Sequence, residues 1–217
     1  RYEFYRSAAG ENRWVKSKER VSLRDALSLG EWDIITLQQA SGYSGRYESY
    51  RPYLDALTGI IRAAQPRAKL AWHMTWSYST DSTHGQFADY GRDRRRMYDA
   101  ICSAVHELAR HTSAFSTIIP SGTAIESLRM SEINNPPKDL TRDGYHMDYG
   151  AGRYALACVW YETLIRPFAR KSMRDDTLRI EKGDVHVDDR VAALCRKAAR
   201  KAARKNFTPR RIERRGE

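Results

Sequence analysis

Two side chains in one short segment of this sequence have the types and the spacing that proton transfer needs. Asp143 and His146 are separated by two residues in the segment LTRDGYHMDYG (140–150), where Gly144 marks a turn. A carboxylate that accepts the N–H of one imidazole nitrogen fixes the tautomer, and the other nitrogen can then take a proton from a hydroxyl. We therefore predict that Asp143 orients the ring and that His146 acts as a general base. Taken alone, the pair is also typical of a turn cap and a surface histidine.

Predicted strands and helices alternate along the chain ahead of this segment. Short apolar runs predict buried parallel strands at residues 32–37, 68–75 and 116–120. Amphipathic stretches predict helices at 47–64 and 89–111, which imply right-handed crossovers. Ligands of such sheets bind at the carboxyl ends of the strands, where Gln39, Trp76 and Ser121 fall. Further helices are predicted at 21–29, 123–130, 150–164 and 187–204, whereas residues 1–20 show no clear period.

Length and composition favour a single globular domain. The chain has 217 residues, of which 41% are hydrophobic, enough for one α/β core. We place the domain at residues 1–207 and a basic tail at 208–217. No apolar run approaches the ~20 residues of a membrane span. Residues 1–20 are charged from the start, unlike a signal peptide.

The formal net charge of +11 lies mostly at the carboxyl end. Residues 187–217 hold eleven Lys and Arg against four Asp and Glu, which places +7 of that charge in the last 31 residues. Charges on the outer face of an alanine-rich amphipathic helix are usually solvated. Phe207 is the one aromatic residue in this stretch, so the stacking platforms of a nucleic-acid site are missing. Nucleic-acid binding is therefore disfavoured.

Three cysteines, Cys102, Cys158 and Cys195, lie far apart and mostly within helical patterns. An odd number at such spacing argues against a disulfide framework and against a zinc site. We interpret them as buried thiols, which favours a reducing, cytoplasmic compartment. Nothing in the sequence indicates an oligomeric state.

The order of the predicted elements resembles the back half of an SGNH/GDSL hydrolase, and the likeness is closest to one bacterial branch of that superfamily. A strand that ends in a polar amide loop is followed by two strand–helix units and by an Asp-x-x-His turn before a final helix. The matching segments are LQQAS (37–41), WHMTWSY (72–78), DSTHG (81–85), PSGTA (120–124) and residues 140–154. The resemblance extends over about residues 2–207. It implies a three-layer α/β/α fold with a flavodoxin-like parallel sheet, and ester hydrolysis without a cofactor.

The resemblance also implies roles for particular residues. Asp143 and His146 match the orienting carboxylate and the general base. Asp148 lies on the wrong side of His146 for the Asp-x-x-His order, and we predict that it caps the next helix. Gln39 aligns with the Asn whose side-chain N–H stabilises the oxyanion in many of these enzymes, and glutamine carries the same donor on a longer stem. The alternative is that Gln38 and Gln39 only brace their loop.

The loop after the second predicted strand is rich in aromatic and polar residues, namely Trp76, Tyr78, Asp81 and His84. Aromatic faces beside hydrogen-bonding groups suit sugar rings, so we predict that these four residues line a substrate cleft. A purely structural loop is the alternative. His73, inside an apolar strand, is predicted to be a core histidine. The spacing of His73, Asp81 and His84 matches no metal-binding motif, and we predict no metal site.

No serine of this sequence stands in a nucleophile turn. The segment GYSGR (42–46) is not a Gly-x-Ser-x-Gly elbow, because Arg46 occupies its last position. Ser41, Ser44, Ser77 and Ser121 are candidate pocket hydroxyls, and loop hydrogen bonding is the alternative role for each of them. The resemblance implies that the three predicted strands are strands three to five. Strands one and two, with the nucleophilic serine, are then expected in an upstream segment of roughly 50 to 60 residues.

The resemblance thus implies an SGNH-type esterase that acts on a small-molecule or carbohydrate ester, and a carbohydrate O-acetyl ester is the substrate we prefer. The rival is a non-catalytic carbohydrate-binding or degenerate protein on the same scaffold. A basic nucleic-acid binder is the third reading. Secretion stays open beside the cytoplasm, since a signal would lie in the upstream segment.

Overall fold

The computed structural model describes residues 2–8, 11, 13–177, 181–182 and 185–212. Its strands are β1 (Tyr2–Arg6), β2 (Val15–Val21), β3 (Ile34–Leu37), β4 (Lys69–His73), β5 (Phe115–Ile119), β6 (Glu181–Lys182) and β7 (Val185–His186). Its α-helices are α1 (Leu23–Ser28), α2 (Tyr53–Ala64), α3 (Arg94–His111), α4 (Ser121–Arg129), α5 (Ala151–Trp160), α6 (Arg166–Ala169) and α7 (Asp189–Arg204). Short 3-10 turns cover Ser41–Tyr43, Tyr47–Tyr50, Gly85–Tyr90 and Met173–Asp175, and a π-helical turn at Tyr161–Ile165 joins α5 to α6.

The strands β3, β4 and β5 form a parallel sheet in that order, which confirms the prediction of three parallel strands. Side chains of β4 alternate between the two faces of the sheet. Ala71 packs into a core built by α4, α5 and α7, whereas Leu70 and Trp72 pack into cores built by α1, α2 and α3. The chain is therefore an α/β protein with helices on both faces of the sheet.

Two predicted helices begin later than the sequence pattern indicates. In residues 47–64 a 3-10 turn ends at Tyr50, and α2 starts only after Pro52, because proline lacks the N–H that a continuing helix would need. In residues 89–111, Gly91 adopts a left-handed φ of +66°. Asp93 then accepts backbone N–H groups at the start of α3. Local turn chemistry thus overrides the helical period at both places.

An antiparallel hairpin, β1 with β2, occupies the stretch where the sequence shows no period. Among the described residues of both strands, Val21 alone is buried. A hairpin without a buried face needs no alternation of apolar and polar residues, so no pattern predicts it. Phe4 contacts Trp32 edge-on, with ring centroids 6.2 Å apart, and docks the hairpin beside the entry to β3.

The carboxyl-terminal helix α7 lays its alanine-rich face on α4 and α5. Beyond it, Ile212 is buried, and the N–H of Arg210 donates to the hydroxyl of Ser127 at 3.0 Å. The described part of the predicted tail thus packs on the domain, while residues 213–217 lie outside the described part.

The three cysteines are free thiols in the structure. Cys158 and Cys195 are buried and Cys102 is half-buried. Burial raises the pKa of Cys158 to about 12, so this thiol stays protonated at neutral pH. Among the described helices, none has the length and apolar character that crossing a membrane requires.

Candidate functional site

Asp143 and His146 form a hydrogen-bonded pair at the surface. The Nδ1 atom of His146 lies 2.7 Å from Oδ2 of Asp143, and Oδ1 of the same carboxylate accepts the backbone N–H of His146 at 2.8 Å. Desolvation by burial acts to raise the pKa of Asp143, but the hydrogen bonds from His146 and Tyr145 outweigh it and lower the pKa to about 2. The side chain of His146 is 51% exposed. No hydrogen bond between described residues involves its Nε2.

A short hairpin-like loop presents this pair. Thr141 and Met147 form an isolated antiparallel bridge, and the backbone N–H of Arg142 donates to the carbonyl of His146. Gly144 closes the turn with φ +94°, and a Cβ built on it would lie 3.0 Å from the Cα of Ser82. The turn therefore requires glycine on two counts, its backbone conformation and its close approach to the neighbouring loop.

Asp148 serves the helix that follows the loop. Its Oδ1 accepts the backbone N–H groups of Gly150 and Gly152, each at 2.9 Å. Burial raises its pKa. Asp148 thus caps α5, as the sequence predicts.

Aromatic rings run from the loop after β4 to His146. The indole N–H of Trp76 donates to the carbonyl of Tyr145 at 2.7 Å. Ring centroids are 4.8 Å apart for Tyr78 and His84, 5.1 Å for His84 and Tyr145, and 4.3 Å for Tyr145 and His146. Tyr78 is buried, whereas Trp76, His84 and Tyr145 are half-buried. Three of the four residues predicted for a substrate cleft therefore adjoin the Asp143/His146 loop.

Asp81, the fourth of them, is engaged with its own surroundings. Its Oδ2 lies 2.8 Å from Nζ of Lys138, and its Oδ1 accepts the hydroxyl of Ser79 at 2.6 Å. The bonds from Lys138 and Ser79 lower its pKa. A carboxylate held in this way braces the loop.

A buried ionic cluster of Arg94, Glu126, Arg129 and Asp139 lies between the loop after β4 and the segment that leads to Asp143. Nη1 of Arg94 contacts both carboxylate oxygens of Glu126, at 2.5 and 2.6 Å. Arg129 donates to the carbonyl of Asp139 and to the hydroxyl and carbonyl of Ser77. The cluster ties α3 and α4 to both loops of the site. No sequence motif signals it, because its members are far apart along the chain.

Gln39, the predicted oxyanion donor, follows β3 and turns its amide toward Ser49. Its Nε2 donates to the carbonyl and to the hydroxyl of Ser49, at 3.1 and 3.0 Å. Its Oε1 accepts the N–H of Ala40 at 2.8 Å. Every one of these bonds stays within the loop, so donation to a substrate would require Nε2 to exchange one of them.

His73, at the end of β4, is the buried core histidine that the sequence predicts. It is 7% exposed, and burial lowers its pKa to about 4, so the ring is neutral at pH 7. Its Nδ1 lies 2.7 Å from Oε1 of Gln38 and its Nε2 lies 2.9 Å from Oγ of Ser121. An amide oxygen only accepts hydrogen bonds. In this arrangement Nδ1 carries the ring hydrogen and Nε2 accepts the hydroxyl of Ser121.

The four serines singled out in the sequence are all hydrogen-bonded. Their hydroxyl partners are Tyr78 for Ser41, the carbonyl of Ser41 for Ser44, Arg129 for Ser77 and His73 for Ser121. Within the described structure none of these hydroxyls bonds His146.

The chain matches a known protein family and is similar to a solved structure. The sequence profile of the family described as "Domain of unknown function (DUF4886)" matches residues 3–202. The crystal structure of a DUF4886 family protein from Bacteroides uniformis ATCC 8492 is similar to this chain, with 32% sequence identity and a TM-score of 0.77 over 92% of this chain and 72% of that one. No curated protein matches the chain.

Proposed function

We propose that this chain, which belongs to the DUF4886 family, carries the acid–base half of an SGNH-type serine esterase. A serine attacks the ester carbonyl, and His146 takes the proton of its hydroxyl and returns it to the departing alcohol. Water then attacks the acyl-enzyme with the same help from His146, which releases the acid and restores the serine. Asp143 holds the imidazole and stabilises the imidazolium that forms in each step.

The observation that carries this proposal is the unequal use of the two nitrogens of His146. Nδ1 is held at 2.7 Å by a carboxylate whose pKa lies at about 2, so that carboxylate is charged throughout the neutral range. Nε2 is left without a bond to any described residue on a half-exposed ring. This division is the one that a general base requires, with one nitrogen oriented by a carboxylate and the other available for proton transfer.

We place the nucleophilic serine on a strand that pairs with the second edge of β3, in the upstream segment expected from the sequence. Within the described residues β3 pairs only with β4, and its side chains are half-buried. Clefts of about 830 and 520 Å³ adjoin β3, one lined by Ile34 and Phe168 and the other by Leu37 and Leu57. A parallel strand added here would end at the carboxyl edge of the sheet, beside Gln38. It would extend the sheet toward the flavodoxin-like, three-layer arrangement in which β3, β4 and β5 are strands three to five.

The preferred substrate is a carbohydrate O-acetyl ester. The half-buried rings of Trp76 and His84 adjoin the loop of His146, and aromatic faces of this kind pack against the C–H faces of sugars. The oxyanion donor is expected in the loop after β3, where the resemblance points to Gln39.

The direct test replaces His146 by alanine in the full-length protein. We expect kcat for 4-nitrophenyl acetate and for an acetylated oligosaccharide to fall by about 10²- to 10⁴-fold. The thermal midpoint should change little, because the side chain is half-exposed. His111→Ala, which removes an exposed histidine from the end of α3, is the matched control and should retain activity. Unchanged turnover in His146→Ala would sink the assignment.

A second experiment locates the nucleophile. A fluorophosphonate probe should label one serine of the full-length protein, outside the 217 residues of this sequence, and the label should be lost in His146→Ala. Labelling of Ser41, Ser44, Ser77 or Ser121 would contradict the proposed division of the site.

A non-catalytic carbohydrate-binding protein is the second candidate. It is favoured by the engagement of all four serines in hydrogen bonds of their own. In that case calorimetry would detect oligosaccharide binding that His146→Ala leaves unchanged, and no acetate would be released by the full-length protein.

A further inference from the structure

Gln38 presents a hydrogen-bond donor at the carboxyl edge of the sheet. It is exposed and directly follows β3. Its Oε1 is taken by Nδ1 of His73 at 2.7 Å, and no described residue accepts a hydrogen bond from its Nε2. The amide is planar, so an oxygen fixed on His73 leaves the NH₂ group directed away from the imidazole, within the plane of the amide. Neighbouring Gln39 differs, because its Nε2 already serves Ser49 twice.

Three side chains in series fix that direction. The hydroxyl of Ser121 donates to Nε2 of His73, and the Nδ1–H of His73 donates to Gln38. Ser121 is fully buried at the start of α4, and the imidazole packs edge-on against Trp76 and Trp160, with centroid distances of 6.2 and 5.2 Å. Burial and packing therefore hold Ser121 and His73 in place. Hydrogen bonds in series also polarise one another, and an amide that accepts at its oxygen becomes a stronger donor at its nitrogen.

The same indole connects this series to the general base. Trp76 packs on His73, and its N–H donates to the carbonyl of Tyr145, the residue before His146. Gln38 also lines the cleft of about 520 Å³ beside β3. Gln38 follows β3 and Trp76 comes after β4, so the free amide and the indole that contacts the Asp143/His146 loop lie at the same edge of the sheet.

We propose that Gln38, rather than Gln39, donates its side-chain N–H to the carbonyl oxygen of the ester, and that His73 and Ser121 are positioning residues which hold that donor in place. This inference rests on the ester hydrolysis proposed above and assigns its oxyanion contact to a different residue. His73 moves no proton in this scheme. Its neutral ring connects Ser121 on α4 to Gln38 in the loop after β3 through two hydrogen bonds, and so fixes the orientation of the Gln38 amide. We call this series of hydrogen bonds the relay.

The kinetic test compares the two glutamines in the full-length protein. Gln38→Ala should lower kcat for 4-nitrophenyl acetate by about 100-fold with little change in KM, because an oxyanion contact strengthens in the transition state. Gln39→Ala should cost less than about tenfold, since it removes bonds inside its loop. Active wild-type protein with an undiminished kcat in Gln38→Ala would overturn the inference and leave the esterase intact. A larger loss in Gln39→Ala would return the role to Gln39.

The positioning role is tested at His73 by two substitutions. His73→Leu removes both hydrogen bonds, and kcat should fall by about 10- to 100-fold because the Gln38 amide is no longer held in its orientation. His73→Asn offers an amide N–H near the place of Nδ1, and should recover part of that loss. Equal kcat in both variants, at equal thermal stability, would refute the relay.

A measurement that does not depend on turnover separates this inference from the proposed activity. In ¹⁵N NMR of the full-length protein, His73 should show the tautomer with hydrogen on Nδ1, and the side-chain NH₂ of Gln38 should be as ordered as the backbone. Ser121→Ala should loosen that NH₂. An unchanged NH₂ in Ser121→Ala would refute the relay even in an active enzyme. If the relay is fully ordered in wild-type protein but the protein releases no acid from an ester, the proposed esterase activity is refuted. The donor role of Gln38 is then refuted with it.

Discussion

Acid should destabilise this protein through His73 as the pH falls below about 6.5. Burial lowers the pKa of His73 from 6.5 to about 4, so the unfolded chain binds this proton at a higher pH than the folded one does. The stability that the neutral ring contributes is complete above pH 6.5 and is lost as the pH falls toward 4. The difference of about 2.5 pKa units corresponds to about 3 kcal/mol at full titration, of which about 2 kcal/mol is lost between pH 7 and pH 5.

Urea unfolding at pH 7, 6 and 5 measures this loss. The wild-type free energy of unfolding should fall by about 2 kcal/mol more across that range than the value for His73→Asn, which has no group to protonate. Ser121→Ala is the matched control. It removes a hydrogen bond but leaves the ring buried, and burial is the cause of the shift, so it should keep the wild-type pH dependence. Parallel pH profiles for wild type and His73→Asn would refute the reasoning.

Two further predictions concern the support of the Asp143/His146 loop. Glu126→Gln should lower the free energy of unfolding by about 3 kcal/mol in urea titrations, because it removes the charge that Arg94 and the buried guanidinium of Arg129 share and leaves two arginines with Asp139 alone; a loss below about 1 kcal/mol would contradict this. Gly144→Ala should cost about 1–3 kcal/mol and reduce turnover, since φ is +94° and Ser82 leaves no room. Gly59→Ala, in open space on α2, should instead stabilise by about 0.5–1 kcal/mol, and a loss there as large as that in Gly144→Ala would show that the turn is not the cause.

Local patterns determined much of the scaffold. Short apolar runs at the positions of β3, β4 and β5, with amphipathic stretches between them, were enough to predict a three-stranded parallel sheet, because burial on both faces imposes such runs. Asp143 and His146 were found for a similar reason. Their contact spans three residues of one turn, so spacing along the chain sets their distance in space.

The starts of α2 and α3 and the hairpin of β1 and β2 could not be predicted from local sequence patterns. Pro52 sets the start of α2 through a missing N–H, and Asp93 sets the start of α3 by accepting two backbone N–H groups. The helical period records neither effect. The residues of β1 and β2 are almost all exposed, so these strands need no alternation of apolar and polar residues that would reveal them in the sequence.

Only the tertiary structure decided which polar groups meet. Gln38 and Gln39 are identical in type and adjacent in sequence, yet one bonds His73 across the sheet and the other bonds Ser49 in its own loop. Likewise, Arg94, Glu126 and Asp139 form a cluster only because α3, α4 and the loop to Asp143 converge. Sequence spacing fixes contacts within a turn or a helix, where the backbone geometry is regular. Contacts between elements depend on the register and packing of the whole sheet, and for such groups only the fold assigns the partner.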